Sequence, residues 1–196
     1  MILMSASHRH EIECAGQSHM QTFVALLRGI NVGKANRIAM ADLRALLVEL
    51  GYMGVATLLN SGNAVFRAEN GPSGKHAKAI AEAISNRFGL SISVVVISAP
   101  DLAAIINQIP LNMRMADDSQ LLVVFPESAA ALQSLSSINQ WIAEPEQFAM
   151  GESAAYLHCA NGILASKAAK ALMGKAGKAV TTRNWATVLK LQALAI

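Results

Sequence analysis

The strongest structural signals of this chain lie in residues 22–50, which read TFVALLRGINVGKANRIAMADLRALLVEL. The apolar run Thr22–Leu27 predicts a buried strand, and a loop rich in Gly and Asn follows from 28 to 37. Leucines then recur with i, i+3, i+4, i+7 spacing up to Leu50, which predicts a helix with one apolar face, and Gly51 is suited to ending it. A strand, a polar loop and a helix are therefore expected in succession.

The residues that follow continue this pattern through a hairpin. Two short apolar runs flank Asn60-Ser61-Gly62-Asn63, which is typical of a hairpin turn because Gly and Asn tolerate a positive φ. A second amphipathic helix is predicted at about 76–88, and a strand at 91–98. The resulting order, βαββαβ, is that of a split βαβ or ferredoxin-like unit.

The second half of the chain repeats this order without a residue-level repeat. After a short connecting helix at 101–109, the predicted strands are 121–125, 146–150, 154–159 and 179–181, and the predicted helices are 129–135 and 167–173. We therefore predict an α+β chain of two tandem ferredoxin-like (βαββαβ, α-β plait) domains with antiparallel sheets, plus an extra C-terminal helix. The predicted boundaries are 1–19 for a disordered or non-native-start extension, 20–99 for domain 1, 100–118 for the connecting helix and linker, and 119–196 for domain 2.

The extra helix is predicted at about 183–193. Thr182 is suited to its N-cap, which leaves Arg183 and Asn184 in the first helical turn. A cation at a helix N-terminus opposes the helix dipole, so stability explains Arg183 poorly. Trp185 and Leu189 are expected on the core face.

Composition excludes several protein classes. The 196 residues are 53% hydrophobic and 15% charged, which is incompatible with a disordered chain, collagen or a coiled coil. Two cysteines and no membrane-length apolar run predict a cytoplasmic protein with no membrane partner. His8, His10, Cys14 and His19 could ligate zinc, but their spacing fits no known pattern. We expect no metal and no cofactor.

Charge is distributed unevenly along the sequence. The net charge is −1 over 1–19, +4 over 20–100, −6 over 101–152 and +6 over 153–196. Residues 101–196 are therefore neutral as a unit, and the excess of positive charge belongs to the first predicted domain. This distribution favours a local anion site over general affinity for nucleic acid.

The loop after the first strand is the best candidate for such a site. Arg28-Gly29-Ile30-Asn31-Val32-Gly33-Lys34 lies between a strand and a helix, where backbone N–H groups can turn toward an anion. It is not a P-loop, because it has one residue too few and lacks the Ser or Thr that binds Mg²⁺.

The runs from Ala25 to Gly33, from Asn60 to Phe66 and from Thr182 to Thr187 together resemble the bacterial family numbered 1697 among domains of unknown function. The resemblance extends from Met20 to the C-terminus and implies two tandem ferredoxin-like domains, but no activity. The markers come from both halves and are polar, so we expect them to line one shared cleft. The predicted ligand-binding residues are Arg28, Gly29, Asn31, Gly33, Lys34, Asn60, Ser61, Asn63, Thr182, Arg183 and Asn184.

Three functions remain open from the sequence. The first is binding of an anionic ligand, which could be a nucleotide, a phosphate or a nucleic acid. The second is a small acylphosphatase-like enzyme, in which Arg28 would hold a phosphate and Asn60 or Asn63 would orient water. The third is an interaction module without catalysis.

Overall fold

The computed structural model describes residues 19–33, 36–114 and 117–196. Its first half contains β1 (Met20–Leu27), α1 (Met40–Glu49), β2 (Met53–Leu58), β3 (Asn63–Glu69), α2 (Ser73–Phe88) and β4 (Val94–Ser98). The helices α3 (Ala99–Asn107) and α4 (Leu111–Arg114) lead into the second half. That half contains β5 (Leu121–Pro126), α5 (Ala129–Ser134), β6 (Gln147–Met150), β7 (Ala155–His158), α6 (Lys167–Met173), β8 (Val180–Asn184) and α7 (Trp185–Ala195).

The two halves carry the same sheet topology. The strand order is β2-β3-β1-β4 in the first sheet and β6-β7-β5-β8 in the second, and every pairing is antiparallel. Both orders match a ferredoxin-like unit, with the first and last strands of each unit adjacent to one another. The predicted fold, two such units in tandem with a C-terminal helix, is confirmed.

Strand alternation explains why the two units pack together. Along β1, Phe23, Ala25 and Leu27 face the core under α1 and α2, whereas Val24 and Leu26 point to the opposite face of the sheet. This second apolar face would be exposed in an isolated unit. Here it is buried against the second sheet, with α3 and α7 contributing to the shared core.

The sequence prediction was wrong at the start of the last helix. The strand β8 continues to Asn184, so Thr182 is not the N-cap and Arg183 is not helical. Asn184 caps α7 instead, since its Oδ1 accepts from the Thr187 backbone N–H at 3.0 Å. Pairing of β8 with β5 supplies the tertiary hydrogen bonds that extend the strand. Leu189, which was expected in the core, is partly exposed.

The sequence also did not predict the 3₁₀ helix from Leu135 to Trp141, which continues directly from α5. Its buried residues, Leu135 and Ile138, are spaced i, i+3, the repeat at which side chains eclipse in a 3₁₀ helix. This segment brings Trp141 beside α6.

Candidate functional site

The loop after β1 is closed by the side chain of Asn31. Its Nδ2 donates to the carbonyls of Ile38 and Asn60 at 2.8 Å each, and its Oδ1 accepts from the Ile38 N–H at 3.0 Å. The backbone of Asn31 lies in the left-handed region, as Gly29 and Gly33 also do. Asn31 therefore ties the loop to the hairpin through main-chain groups. Lys34 lies outside the described residues.

The hairpin between β2 and β3 has the expected positive φ at Gly62, but its second positive φ is at Leu59 and not at Asn60 or Asn63. Leu59 and Gly62 adopt a positive φ, whereas Asn63 is the first residue of β3. A Cβ at Gly62 would lie 2.8 Å from side-chain atoms of Leu27 and Ile30, so this position requires glycine. The hairpin can thus approach the end of β1, where the Leu27 N–H donates to the Gly62 carbonyl at 2.8 Å.

Arg183 joins the two units from the buried face of β8. It donates at 2.8 Å to the carbonyl of Leu27 and at 3.1 Å to that of Ser61, both in the first unit. Its Nε donates to Oδ1 of Asn63, whose side chain is fully buried. Further bonds reach Gly62, the Thr181 hydroxyl and the Thr182 carbonyl.

Arg28 makes the reciprocal connection from the first unit to the second. Its Nη1 donates to the carbonyls of Gly177 and Val180. Its Nη2 donates to the carbonyls of Met173 and Gly174 at 3.1 Å and 3.3 Å, at the end of α6. The carbonyls of Met173 and Gly174 thus accept from a cation, as is common at helix C-termini. The two arginines thus cross-link the units in opposite directions.

A cleft of about 660 Å³ lies beside these two arginines. One wall comes from the first unit and carries Ile30, Val32 and Leu59. The other wall comes from the second unit and consists of Leu122, Ile163, Leu172 and Met173. The polar residues that line the cleft come from both units and are Arg28, Ser61, Thr181, Thr182, Arg183, Asn184 and Thr187. Because both units supply the lining, the cleft exists only when they are packed together.

The cleft contains a buried cation, Arg183, that has no anionic partner among the described residues. Arg183 is only 9% exposed, and burial lowers its pKa to about 10, so it stays protonated at neutral pH. Burial also lowers the pKa of Arg28, an effect that Glu127 partly opposes. Over the described residues, the ion pairs within 4 Å join Lys78 to Glu82 and Arg87 to Glu49, and neither involves these arginines.

Six of the predicted ligand-binding residues line the cleft: Arg28, Gly29, Ser61, Thr182, Arg183 and Asn184. Asn31 and Asn63 are not among its lining residues, and their side chains hold the loop and the hairpin in place. Gly33 and Asn60 offer carbonyls to Arg37 and Asn31 respectively. The amides that seemed suited to a ligand therefore satisfy backbone groups.

The apolar residues that line the cleft, among them Val32 and Leu59, were not predicted from the sequence. Val32 and Leu59 are 71% and 52% exposed, and Leu59 is also one of the non-glycine residues with a positive φ. An exposed leucine in a left-handed conformation at a loop tip is unusual for stability and more typical of a binding site. The available signal was an apolar residue next to the Asn-Ser-Gly-Asn turn.

The described residues contain neither a cluster of metal-ligating side chains nor a membrane-length helix. No group of three or more His, Cys, Asp or Glu side chains in 19–33, 36–114 and 117–196 could hold a metal ion. No helix in these ranges is long and apolar enough to cross a membrane. Of the four residues weighed as zinc ligands, all but His19 lie outside the described part of the chain.

The chain belongs to the family described as "Protein of unknown function (DUF1697)", whose model matches residues 20–156. The predicted family is thus confirmed, although the matched region ends before the run at Thr182. The fold is similar to that of the conserved bacterial protein SP0830 from Streptococcus pneumoniae, with a TM-score of 0.74 and 20% identity. That match covers 91% of this chain and 100% of the other. The search of curated proteins found no match.

Proposed function

We propose that the cleft between the two units binds a small organic anion with an apolar body, of about the size of a mononucleotide. The observation that carries this proposal is the Arg183 guanidinium, which is buried beside apolar walls and forms no ion pair with a carboxylate in the described part of the chain. The volume of about 660 Å³ is in the range of pockets that hold small organic ligands.

The charge of Arg183 favours an anion because its present partners are all neutral. Carbonyl, amide and hydroxyl oxygens satisfy its N–H donors but leave the net charge of +1 in place. Removing a cation from water costs several kcal/mol even with good hydrogen bonds. A negative group in the adjacent cleft recovers part of this cost through a Coulomb attraction that low local polarity strengthens.

Two hydroxyl groups in the cleft are free to donate to such an anion. In the described structure the Thr182 hydroxyl has no hydrogen-bond partner, and its residue is half-buried in the cleft wall. The Ser61 hydroxyl oxygen accepts from Asn63 at 3.0 Å, which leaves its proton available. The opposing apolar side chains suit a base or hydrocarbon body.

Acyl-phosphate hydrolysis receives less support from this geometry. That chemistry requires an arginine and an amide directed at the substrate. Arg28 instead donates to four carbonyls of the second unit. The amide of Asn63 is buried against Leu58 and Ser61, and Asn60 is not among the residues that line the cleft. We therefore propose a binding function and no catalytic step.

The proposal is tested with matched charged and neutral probes. We expect adenosine monophosphate to raise the melting temperature more than adenosine or inorganic phosphate does, and octanoate more than octanol. At a hundredfold excess over Kd, binding contributes about 2.7 kcal/mol. This is a rise of roughly 5–10 °C for a chain of this size. Equal effects of each anion and its neutral counterpart would overturn the proposal.

A substitution that introduces a negative charge at the rim of the cleft tests where the anion binds. Val32→Asp places a carboxylate at an exposed position, where it repels an anion without disturbing the core. At about 8 Å and an effective dielectric constant of about 40, the repulsion is roughly 1 kcal/mol, or a fivefold loss of affinity. Leu111→Asp is the matched control, because Leu111 is 78% exposed and does not line the cleft. Equal losses in both variants would contradict the assignment.

A further inference from the structure

A second groove, of about 570 Å³, lies beside α6 and shares no lining residue with the cleft between the units. Its lining combines three lysines, Lys167, Lys170 and Lys175, with Trp141 and the small residues Ala171, Gly174 and Ala176. Lys167 and Lys170 are spaced i, i+3 and therefore share a face of α6. Gly174 ends the helix, and the chain turns so that Lys175 lines the same groove.

Within the described residues, no acidic residue is among those that line the groove with the three lysines. Residues 153–196 contain six basic and no acidic residues. The three side chains are exposed, and none takes part in an ion pair within the described residues. Like charges on one helix face destabilise it by a few tenths of a kcal/mol per pair. Their convergence in one groove is therefore best explained by an anionic partner.

Trp141 gives this groove a feature that an ordinary basic surface lacks. It is half-buried at the end of the 3₁₀ helix and packs against the core of the second unit, which holds the indole in place. An aromatic ring beside a row of cations is the arrangement that binds single-stranded nucleic acid, with a base stacked on the ring and phosphates on the lysines. The ring contributes affinity without reading a sequence.

We propose that this groove binds single-stranded nucleic acid, with one base against Trp141 and the backbone along Lys167, Lys170 and Lys175. The helix rise separates the first two lysines by about 4.5 Å along the axis, and the third lies beyond the helix end. The cations thus follow a line, as the phosphates of a strand do, instead of surrounding one phosphate. The site is separate from the cleft between the units, and neither proposal depends on the other.

The test is a titration of a fluorescein-labelled 12-residue oligothymidylate followed by anisotropy, using the full chain. Three phosphate contacts predict a slope of about −2 for log K against log salt concentration. Affinity should therefore fall roughly 18-fold between 50 and 200 mM salt. In a Trp185→Phe background, binding should also quench the fluorescence of Trp141. Absence of binding at low salt, or thymidine triphosphate binding as tightly as the oligomer, would overturn the proposal.

Substitutions distinguish binding in this groove from a general attraction of the oligomer to the positive charge of the protein. Lys170→Ala should reduce the salt slope by about 0.7, whereas Lys190→Ala, which removes an equal charge from α7, should leave the slope unchanged. Trp141→Leu should weaken binding by roughly 5- to 150-fold, and Trp141→Phe should restore most of it. Val32→Asp in the other cleft should have no effect. Equal effects of Lys170→Ala and Lys190→Ala, or wild-type affinity in Trp141→Leu, would contradict the proposal; the lysine pair decides it if Trp141→Leu does not fold.

Discussion

Replacement of Arg183 by methionine tests whether one buried side chain holds the two units together. Methionine keeps much of the length and apolar stem of arginine but removes its hydrogen-bond donors and its charge. The guanidinium reaches Leu27, Ser61 and Asn63 in the first unit from a strand of the second. We therefore expect Arg183→Met to lower the free energy of unfolding of the whole chain.

The size of this loss follows from two opposing contributions. A hydrogen bond from a charged donor contributes about 1.5–3 kcal/mol, and a buried acceptor left without a partner costs about 1–3 kcal/mol. Oδ1 of Asn63 would become such an acceptor, because its residue is fully buried and the described structure offers it no other donor. Relief from burying an unpaired cation offsets part of the loss. The net decrease is about 2–4 kcal/mol.

Urea denaturation followed by circular dichroism measures this decrease. With an m-value of about 2 kcal/mol/M, the midpoint should fall by about 1–2 M. Arg44→Met is the control, since Arg44 is exposed and donates only to the Thr57 hydroxyl at 3.2 Å. In a double-mutant cycle, the loss in Arg183→Met/Asn63→Leu should fall short of the sum of the two single losses by about 1–3 kcal/mol, because Asn63→Leu removes the Oδ1 acceptor that Arg183→Met leaves unpaired. A loss below 1 kcal/mol, or one equal to that of Arg44→Met, would refute the reasoning.

Three further predictions concern buried groups. Burial lowers the pKa of His76 below its usual 6.5, so the unfolded chain binds the proton more readily than the folded one. The free energy of unfolding should therefore decrease as the pH drops below 6.5. Urea titrations of His76→Gln should show a smaller decrease over the same pH range. Gly62→Ala should cost about 1–3 kcal/mol more than Gly29→Ala in thermal melts, because both positions have a positive φ but only the former is crowded. Burial raises the pKa of the Cys159 thiol to about 11. In a Cys14→Ser background, the native protein should therefore resist a thiol reagent at pH 8 and react with it once unfolded. Fast modification of the native protein would contradict this prediction.

Most of the fold was predictable because it is encoded in local patterns. Alternating apolar residues, the leucine spacing of α1 and the turn residues are read within windows of a few residues. The exceptions are elements whose hydrogen bonds come from distant partners. Thr182 and Arg183 were assigned to a helix on local grounds, yet pairing with β5 holds them in a strand. Pairing with β5 therefore outweighs the local preference of Thr182 for a helix N-cap.

The candidate site was predictable only in part. The sequence predicted that the first loop, the hairpin and the run after Thr181 lie together, and the structure places Arg183 2.8 Å from the Leu27 carbonyl at the start of the loop. The sequence did not predict which polar side chains already have hydrogen-bond partners within the protein. Asn31 and Asn63 have side chains that any ligand could use, but backbone and side-chain groups nearby already satisfy them. The apolar walls went unnoticed because Val32 and Leu59 belong to no periodic pattern.

Sequence alone therefore establishes the family, the order of the elements and the uneven distribution of charge, because each is carried by composition or short-range periodicity. Only the tertiary structure reveals what the arginines do. Arg28 and Arg183 find their partners 149 and 156 residues away, at Gly177 and Leu27. Whether a guanidinium meets a ligand or a carbonyl depends on which backbone groups the packed sheets leave nearby. The second apolar face of each sheet brings the units together, and this packing creates both the cleft and its buried cation.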